Sequence, residues 1–426
     1  MSKRINNIRV GFHGPYAIMA MVYICFIIYA FIVDSPSHIL DGLGRILKSP
    51  SILATDYIEI GGVGATLVNS AIVGFAGLVM LLSNKVKPNG AMIMAMWLTT
   101  GFAFFGKNFF NMFPLIIGVW LYSKYQKEPF INYTLAALLV STLSPTVSNI
   151  AFLGVASPAV EITLGILFGF LIGFIFPVVS SATVRAHLGY NLYNMGFAGG
   201  IICTMIFSLL KSSGIHMTPV ETFSSGNNAA IAAGLYMIAA GLFCYGYFVG
   251  GTKDKFREFL AIHKHSGRLV SDFFYEHGNS IYINMAVLCA FSTTSVLLLG
   301  ADLNGPIIAS IFTIMGFGSF GKHLRNVIPI MTGAILSSFI FGGMPGIHTC
   351  IIAILLSTGL APIAGHFGAF WGIAAGFIHV NVNLHTAYLS GGMNLYSNGL
   401  SAGITAMFLV PIITAFRRKG ASEDED

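Results

Sequence analysis

The sequence predicts an all-α polytopic membrane protein made of two inverted-topology repeats. Each repeat would hold five transmembrane helices plus a re-entrant or broken-helix hairpin, or else seven spans. Three observations predict this. Of 426 residues, 55% are hydrophobic and only 9% are charged, with a mean hydropathy of +0.79, whereas soluble domains carry about 25% charged residues. Apolar runs long enough to cross about 30 Å of hydrocarbon as helices recur from Pro15 to Phe416. The second half of the chain also repeats the first in register. A transmembrane β-barrel would instead show short alternating segments.

The start, MSKRINNIRV, is basic and leads into the apolar run 15–33. That run is long and no small-residue cleavage site follows it, so it reads as a retained first helix and not a signal peptide. A second helix is expected over about 59–83. Segments 88–106 and 109–123 come next, either as one re-entrant hairpin or as two full spans. Two further spans and the span 192–210 complete the first repeat, 1–211. A junction at 212–226 separates it from the second repeat, 227–416, and a charged tail closes the chain at 417–426.

The repeat is visible residue by residue. Gly101, Phe105, Gly106 and Lys107 match Gly316, Phe320, Gly321 and Lys322. At the same spacing Asn69 matches Asn284, Asn89 matches Asn304, Asn111 matches Asn326 and Pro114 matches Pro329. Farther on, at a slightly shorter spacing, Asn191, Leu192 and Tyr193 match Asn394, Leu395 and Tyr396.

Basic residues orient the halves, because short cytoplasmic loops concentrate lysine and arginine. With a cytoplasmic N-terminus, loop 84–90, Lys124, Lys127, Arg185, the segment 253–268 and the tail at 417–419 all fall inside. Only Arg45, Lys48 and Lys211 fall outside. This needs an odd number of crossings per half, so the second half is inverted, a plan common among transporters and some channels. The expected place is the cytoplasmic (inner) membrane of a bacterium, with both termini inside and the junction outside. The formal charge of +6 belongs to those loops, so nucleic acid is not expected as a partner.

GFAFFGKN (101–108) and GFGSFGKH (316–323) each carry G-x-x-x-x-G-K. A phosphate-binding loop follows a strand and ends in Ser or Thr for magnesium. Here the flanks are apolar helix and the next residue is Asn108 or His323, so no nucleotide site is read. The alternative is a lysine at a glycine break in each half. A lysine at membrane depth is costly and is usually paired or functional. Lys107 with Asn111, and Lys322 with Asn326, are four apart and share a helix face. The candidate path residues are therefore Lys107, Asn108, Asn111, Lys322, His323 and Asn326. The repeated asparagines Asn69, Asn284, Asn191 and Asn394 join them as marks of helix breaks. Two full spans with Lys107 in an exposed loop stay open beside this reading.

No other chemistry stands out. His379 and His385 have no carboxylate or cysteine beside them for a metal site, and no metal or cofactor is expected. The five cysteines lie in apolar segments without C-x-x-C, as small hydrophobes. Glu59, Glu161 and Glu276 sit near span ends, with no acid mid-span. Gly165, Gly169, Gly173, Gly372 and Gly376 read as tight helix packing. The polar stretches 177–196 and 379–399 read as unwound loops entering from opposite sides.

GYNLYNMG (189–196) resembles the GYN-x4-G stretch of urea transporters, which are inverted duplications of five helices plus a re-entrant pore helix. The second copy, GMNLYSNG (392–399), departs from it at Met393. Over its whole length the chain resembles a poorly characterised family of duplicated bacterial inner-membrane proteins, known as a domain of unknown function. That resemblance implies a permease-like protein.

The expectation is a transporter or channel, not an enzyme, moving a small polar or anionic solute between the repeats. The alternative within that class is a urea-transporter-like channel for a small neutral amide. An intramembrane enzyme finds no H-E-x-x-H, G-x-S-x-G or paired aspartates, and a structural or sensor protein finds no soluble output domain. The partners are the solute and the lipid bilayer, with a homo-oligomer left open.

Overall fold

A computed structural model describes residues 14–51, 54–215, 221–249, 254–341, 347–395 and 397–423. The basic start, part of the 212–226 junction, Tyr396 and the last tail residues lie outside them. Among the described residues the fold is helical, with no strand.

The first half runs α1 (Pro15–Val33), α2 (Pro36–Lys48), α3 (Tyr57–Gly61), α4 (Val63–Ser83), α5 (Gly90–Phe102), α6 (Phe109–Tyr125), α7 (Thr134–Val140), α8 (Ser144–Ala151), α9 (Pro158–Ala186) and α10 (Asn194–Ser212). The second half runs α11 (Asn228–Phe248), α12 (Lys255–Ile262), α13 (Phe273–His277), α14 (Ile281–Leu298), α15 (Gly305–Gly316), α16 (Leu324–Ile340), α17 (Ile347–Leu356), α18 (Ala361–Phe367), α19 (Ala369–Thr386) and α20 (Ser397–Glu423). The order of long and short helices is the same in both.

Nine stretches among the described residues are long and apolar enough to cross a membrane. The surface agrees with a multi-pass membrane protein. On α9, Leu164, Leu167, Leu171 and Val178 are exposed while Gly165, Gly169 and Gly173 are buried. A helix that faces outward with leucine and inward with glycine is built for lipid, where close backbone approach replaces hydrophobic burial. A Cβ at Gly173 would lie 2.0 Å from the Leu115 carbonyl oxygen, and one at Gly376 would lie 1.9 Å from that of Ile330. These glycines let α9 pack on α6, and α19 on α16. Cys25 and Cys244 are exposed on the apolar exterior and not buried; Cys203, Cys289 and Cys350 are buried, and all five are free.

The segment expected as a 19-residue run at 88–106 is helical only over the 13 residues of α5. The chain breaks at Ala103 and resumes at α6. Three contacts fix the break beside α4. Ser70 Oγ donates to the Thr100 carbonyl at 2.9 Å, and Asn69 Nδ2 donates to the carbonyls of Ala103 at 2.8 Å and Lys107 at 3.0 Å. Val73 then packs with Met112 on α6. So α5 climbs along α4 to the level of Asn69, and α6 turns back beside it. The stretches 177–196 and 379–399 are also more helical than expected. Helix continues to Ala186 and Thr386, leaving unwound, among the described residues, about 187–193 and 391–395.

The halves meet through contacts that come in reciprocal pairs. Asp56 caps α3 by accepting from the Ile58 N–H, and it also accepts from the Gly305 N–H that opens α15 of the other half. Asp272 caps α13 by accepting from the Phe274 N–H, and it accepts from the Gly90 N–H that opens α5. The Leu192 N–H donates to the Gly359 carbonyl at 2.9 Å, and the Leu395 N–H to the Thr142 carbonyl at 3.0 Å. Burial pushes the Asp56 carboxyl above its ordinary range, opposed by four hydrogen bonds from Ser224, Ile58 and Gly305.

Candidate functional site

Each GK break is held by the same small set of side chains. Asn108 is the N-cap of α6: its Oδ1 accepts from the Asn111 N–H at 3.0 Å while Asn111 Oδ1 accepts from the Asn108 N–H at 2.9 Å. Such a reciprocal cap satisfies two of the four N–H groups a helix start leaves free. His323 and Asn326 repeat one arm of it on α16: the His323 N–H donates to Asn326 Oδ1 at 3.0 Å, while the Asn326 N–H donates to the His323 backbone carbonyl. Asn111 Nδ2 reaches back to the Gly106 carbonyl, and Asn326 Nδ2 to that of Gly321. Gly106 and Gly321 adopt φ of +70° and +111°, the region glycine enters without strain. Asn284 donates to the carbonyls of Gly318 and Lys322, both at 2.8 Å, as Asn69 does in the first half. Three carbonyls at each break thus find side-chain donors within the protein, as buried irregular chain requires.

The side chains of Lys107 and Lys322 are both completely buried. Lys322 Nζ donates to the Tyr193 hydroxyl and to Thr358 Oγ1 at 2.8 Å, and those two oxygens lie 3.2 Å apart. The rings of Tyr193 and Phe317 lie 4.3 and 5.0 Å from the same nitrogen, at cation–π range. Lys107 Nζ lies 5.5 Å from the Phe102 ring, the counterpart of Phe317, and has no hydrogen-bond partner among the described residues. Neither lysine is ion-paired with a carboxylate among those residues.

A cavity of about 360 Å³ lies beside this place. Leu98 of α5, Leu139 of α7, Leu192, Tyr193, Asp272 and Phe317 are among its walls. Tyr193 and Phe317 are the two rings over Lys322, which itself does not line the cavity. A larger hollow of about 640 Å³ is apolar apart from Asn69, and neither lysine lines it.

The structure brings Lys107, Asn108 and Asn111 together with Asn69, and Lys322, His323 and Asn326 together with Asn284. The asparagine amides are engaged by backbone, so they shape the breaks. Asn191 and Asn394 lie at the seam between the halves next to the breaks, where Asn191 Oδ1 accepts from the N–H of Tyr193, the partner of Lys322, at 2.9 Å. Asn191 Nδ2 donates to the Gly399 carbonyl and Asn394 Nδ2 to that of Gly196, each at 3.1 Å. His379 is buried with Nε2 3.2 Å from Asn398 Oδ1.

Sequence reasoning missed Tyr193 and Thr358 as partners of Lys322, and missed Asp56 and Asp272. The first signal was present. VSTL at 140–143 and LSTGL at 356–360 recur in the two halves. Each forms a single 3-10 turn in mid-segment, in which Thr142 and Thr358 donate to the Leu139 and Leu355 carbonyls. Thr142 is therefore the first-half counterpart of Thr358.

The family described as "Protein of unknown function (DUF1576)" matches the chain twice, over residues 35–212 and 252–415. The chain belongs to this family. The double match makes it a duplicated member of an uncharacterised family, as the repeated residues imply. No curated protein and no solved structure matches it, so the GYN stretch of this DUF1576 chain stands without support as a link to urea transporters.

Proposed function

We propose that the chain is a membrane transporter or channel for a small anionic or polar solute, with its path between two inverted repeats at the paired helix breaks. The observation that carries this is Lys322, wholly buried and bound to two neutral hydroxyls, with Lys107 at the equivalent break. A lysine kept from water without a carboxylate is compensated when a solute anion binds beside it. The Tyr193 hydroxyl beside the Lys322 nitrogen suits an anion as a donor, whereas the Thr358 proton is committed to the Leu355 carbonyl. The cavity that Tyr193 and Phe317 help to line is the route of entry in this reading.

The reciprocal contacts support the inverted arrangement. A contact that recurs with the halves exchanged is the mark of a two-fold relation. An odd number of crossings per half puts that axis in the membrane plane, and it follows when α5 with α6, and α15 with α16, dip in and return to one side. At 13 residues α5 is short for a separate crossing, and α6 at 17 stands at the lower limit of one. The basic loops support cytoplasmic termini in a bacterial inner membrane. The reading involves no catalysis.

The test is solute flux in proteoliposomes holding the purified full-length protein. Small inorganic and carboxylate anions are compared with urea, in wild type and in Lys322→Met. Anion flux should appear with the wild type and fall by about tenfold or more, the equivalent of at least about 1.4 kcal/mol of binding, in the variant. Flux of urea alone, no flux of any solute, or anion flux that Lys322→Met leaves intact would sink the proposal.

A further inference from the structure

Among the described residues, one group of side chains outside the lysine breaks converges as metal ligands do. His265 follows α12, and Glu276 and His277 end α13. His265 Nε2 lies 2.9 Å from His277 Nε2 and 3.2 Å from Glu276 Oε2, and the third side, His277 Nε2 to Glu276 Oε2, is 3.9 Å. A triangle with these sides is acute, and the point equidistant from its corners lies about 2.0 Å from each. Zinc takes imidazole nitrogen at about 2.0–2.1 Å and carboxylate oxygen at about 2.0–2.2 Å.

The surroundings fit as well. His277 Nδ1 lies 2.8 Å from Glu258 Oε2 of α12. A carboxylate there holds the proton on Nδ1 and leaves the Nε2 lone pair turned to the ion, the usual outer-shell arrangement of a metal-bound histidine. The His277 side chain is 9% exposed, and those of His265 and Glu276 are 34% and 38% exposed. One flank is thus enclosed and the other open to water and to an entering ion.

The duplication argues against a purely architectural role. Asp56 and Asp272 cap equivalent short helices, and in that register Ser49, Ile60 and Gly61 stand where the second half has His265, Glu276 and His277. The first repeat builds the same short helix without any of the three. The fold therefore does not require them.

We propose that His265, Glu276 and His277 bind one divalent transition-metal ion of the zinc class, with Glu258 orienting His277 and water completing the shell. This does not depend on the transport reading. The ion would clamp the segment that carries Asp272 onto the core. His265 is already tied there, because its carbonyl lies 2.9 Å from His323 Nε2. The sequence alone gave no metal site, because the ligands come from two separate stretches.

The experiment uses tag-free, full-length protein in detergent, stripped with chelator and titrated with Zn²⁺. Bound metal is counted by elemental analysis, and Co²⁺ serves as a spectroscopic probe. The expected result is one Zn²⁺ per chain, with a cobalt ligand-field band. His265→Ala and His277→Ala should each lose both signals, Glu258→Gln should weaken binding by about 10–100-fold, and His379→Ala should leave it unchanged. Should His277→Ala fail to fold, the more exposed Glu276→Gln gives the same comparison, with monodispersity as the folding control. Absence of stoichiometric Zn²⁺ in the wild type, or equal Zn²⁺ in His265→Ala, would overturn the proposal.

Discussion

At the scale of single residues the two lysines differ in a way that can be measured. Lys322 has two hydroxyl acceptors, whereas Lys107 has none among the described residues. A buried polar group without a partner lowers stability. Methionine at position 107 fills similar volume without the desolvation cost, so Lys107→Met should leave the melting temperature unchanged or raise it. The same variant should lose anion flux by about tenfold or more. A lysine needed only for packing would leave the flux intact, because methionine preserves its volume. Asn69 is the contrasting case, since its amide serves two carbonyls of the first break. Asn69→Ala strands both, and each buried unsatisfied group costs about 1–3 kcal/mol. A fall in melting temperature is the expected readout.

At the scale of elements, the glycine spacing read from the sequence as tight packing is what joins α9 to α6 and α19 to α16. Gly173→Ala places a methyl against the Leu115 carbonyl, and Gly376→Ala does the same at Ile330. These atoms are backbone and cannot swing aside, so each variant should lose about 1–3 kcal/mol or more, read by thermal denaturation in detergent. Gly234→Ala on α11 meets nothing within 4 Å and should be neutral or slightly stabilising, because alanine is the better helix former. The hairpins were only partly legible. The GK pattern marked where each helix breaks, and the caps Asn108 and His323 stood beside it. Apolar composition could not say that α5 stops at Phe102, because the stop is set by Asn69 reaching across from α4 to hold the freed carbonyls.

At the scale of the whole molecule, the proposed inverted arrangement makes a prediction about equivalent positions. Lys87 precedes α5 and Asp302 precedes α15, at matching points of the two repeats. In a version lacking the five native cysteines, Lys87→Cys and Asp302→Cys should react with membrane-impermeant thiol reagents from opposite faces. Reaction of both from one face would mean parallel repeats, and the path between inverted halves would then be abandoned. The reciprocal aspartates work at this scale too. Asp56 and Asp272 each cap a short helix of their own half while binding the opening N–H of a hairpin in the other.

The sequence by itself determined the class of the molecule, its duplication, the two breaks and the glycine seams. Each of these rests on composition, periodicity or local repetition, and all are properties of residues near one another in the chain or matched between copies. Only the tertiary structure decided what surrounds Lys322. Tyr193 comes from one half and Thr358 from another helix of its own half, and no spacing rule joins them. It likewise decided that His265 meets Glu276 and His277, and that Asp56 and Asp272 cross between the halves. Those meetings follow from how the helices pack, where backbone groups denied water find their partners across the molecule.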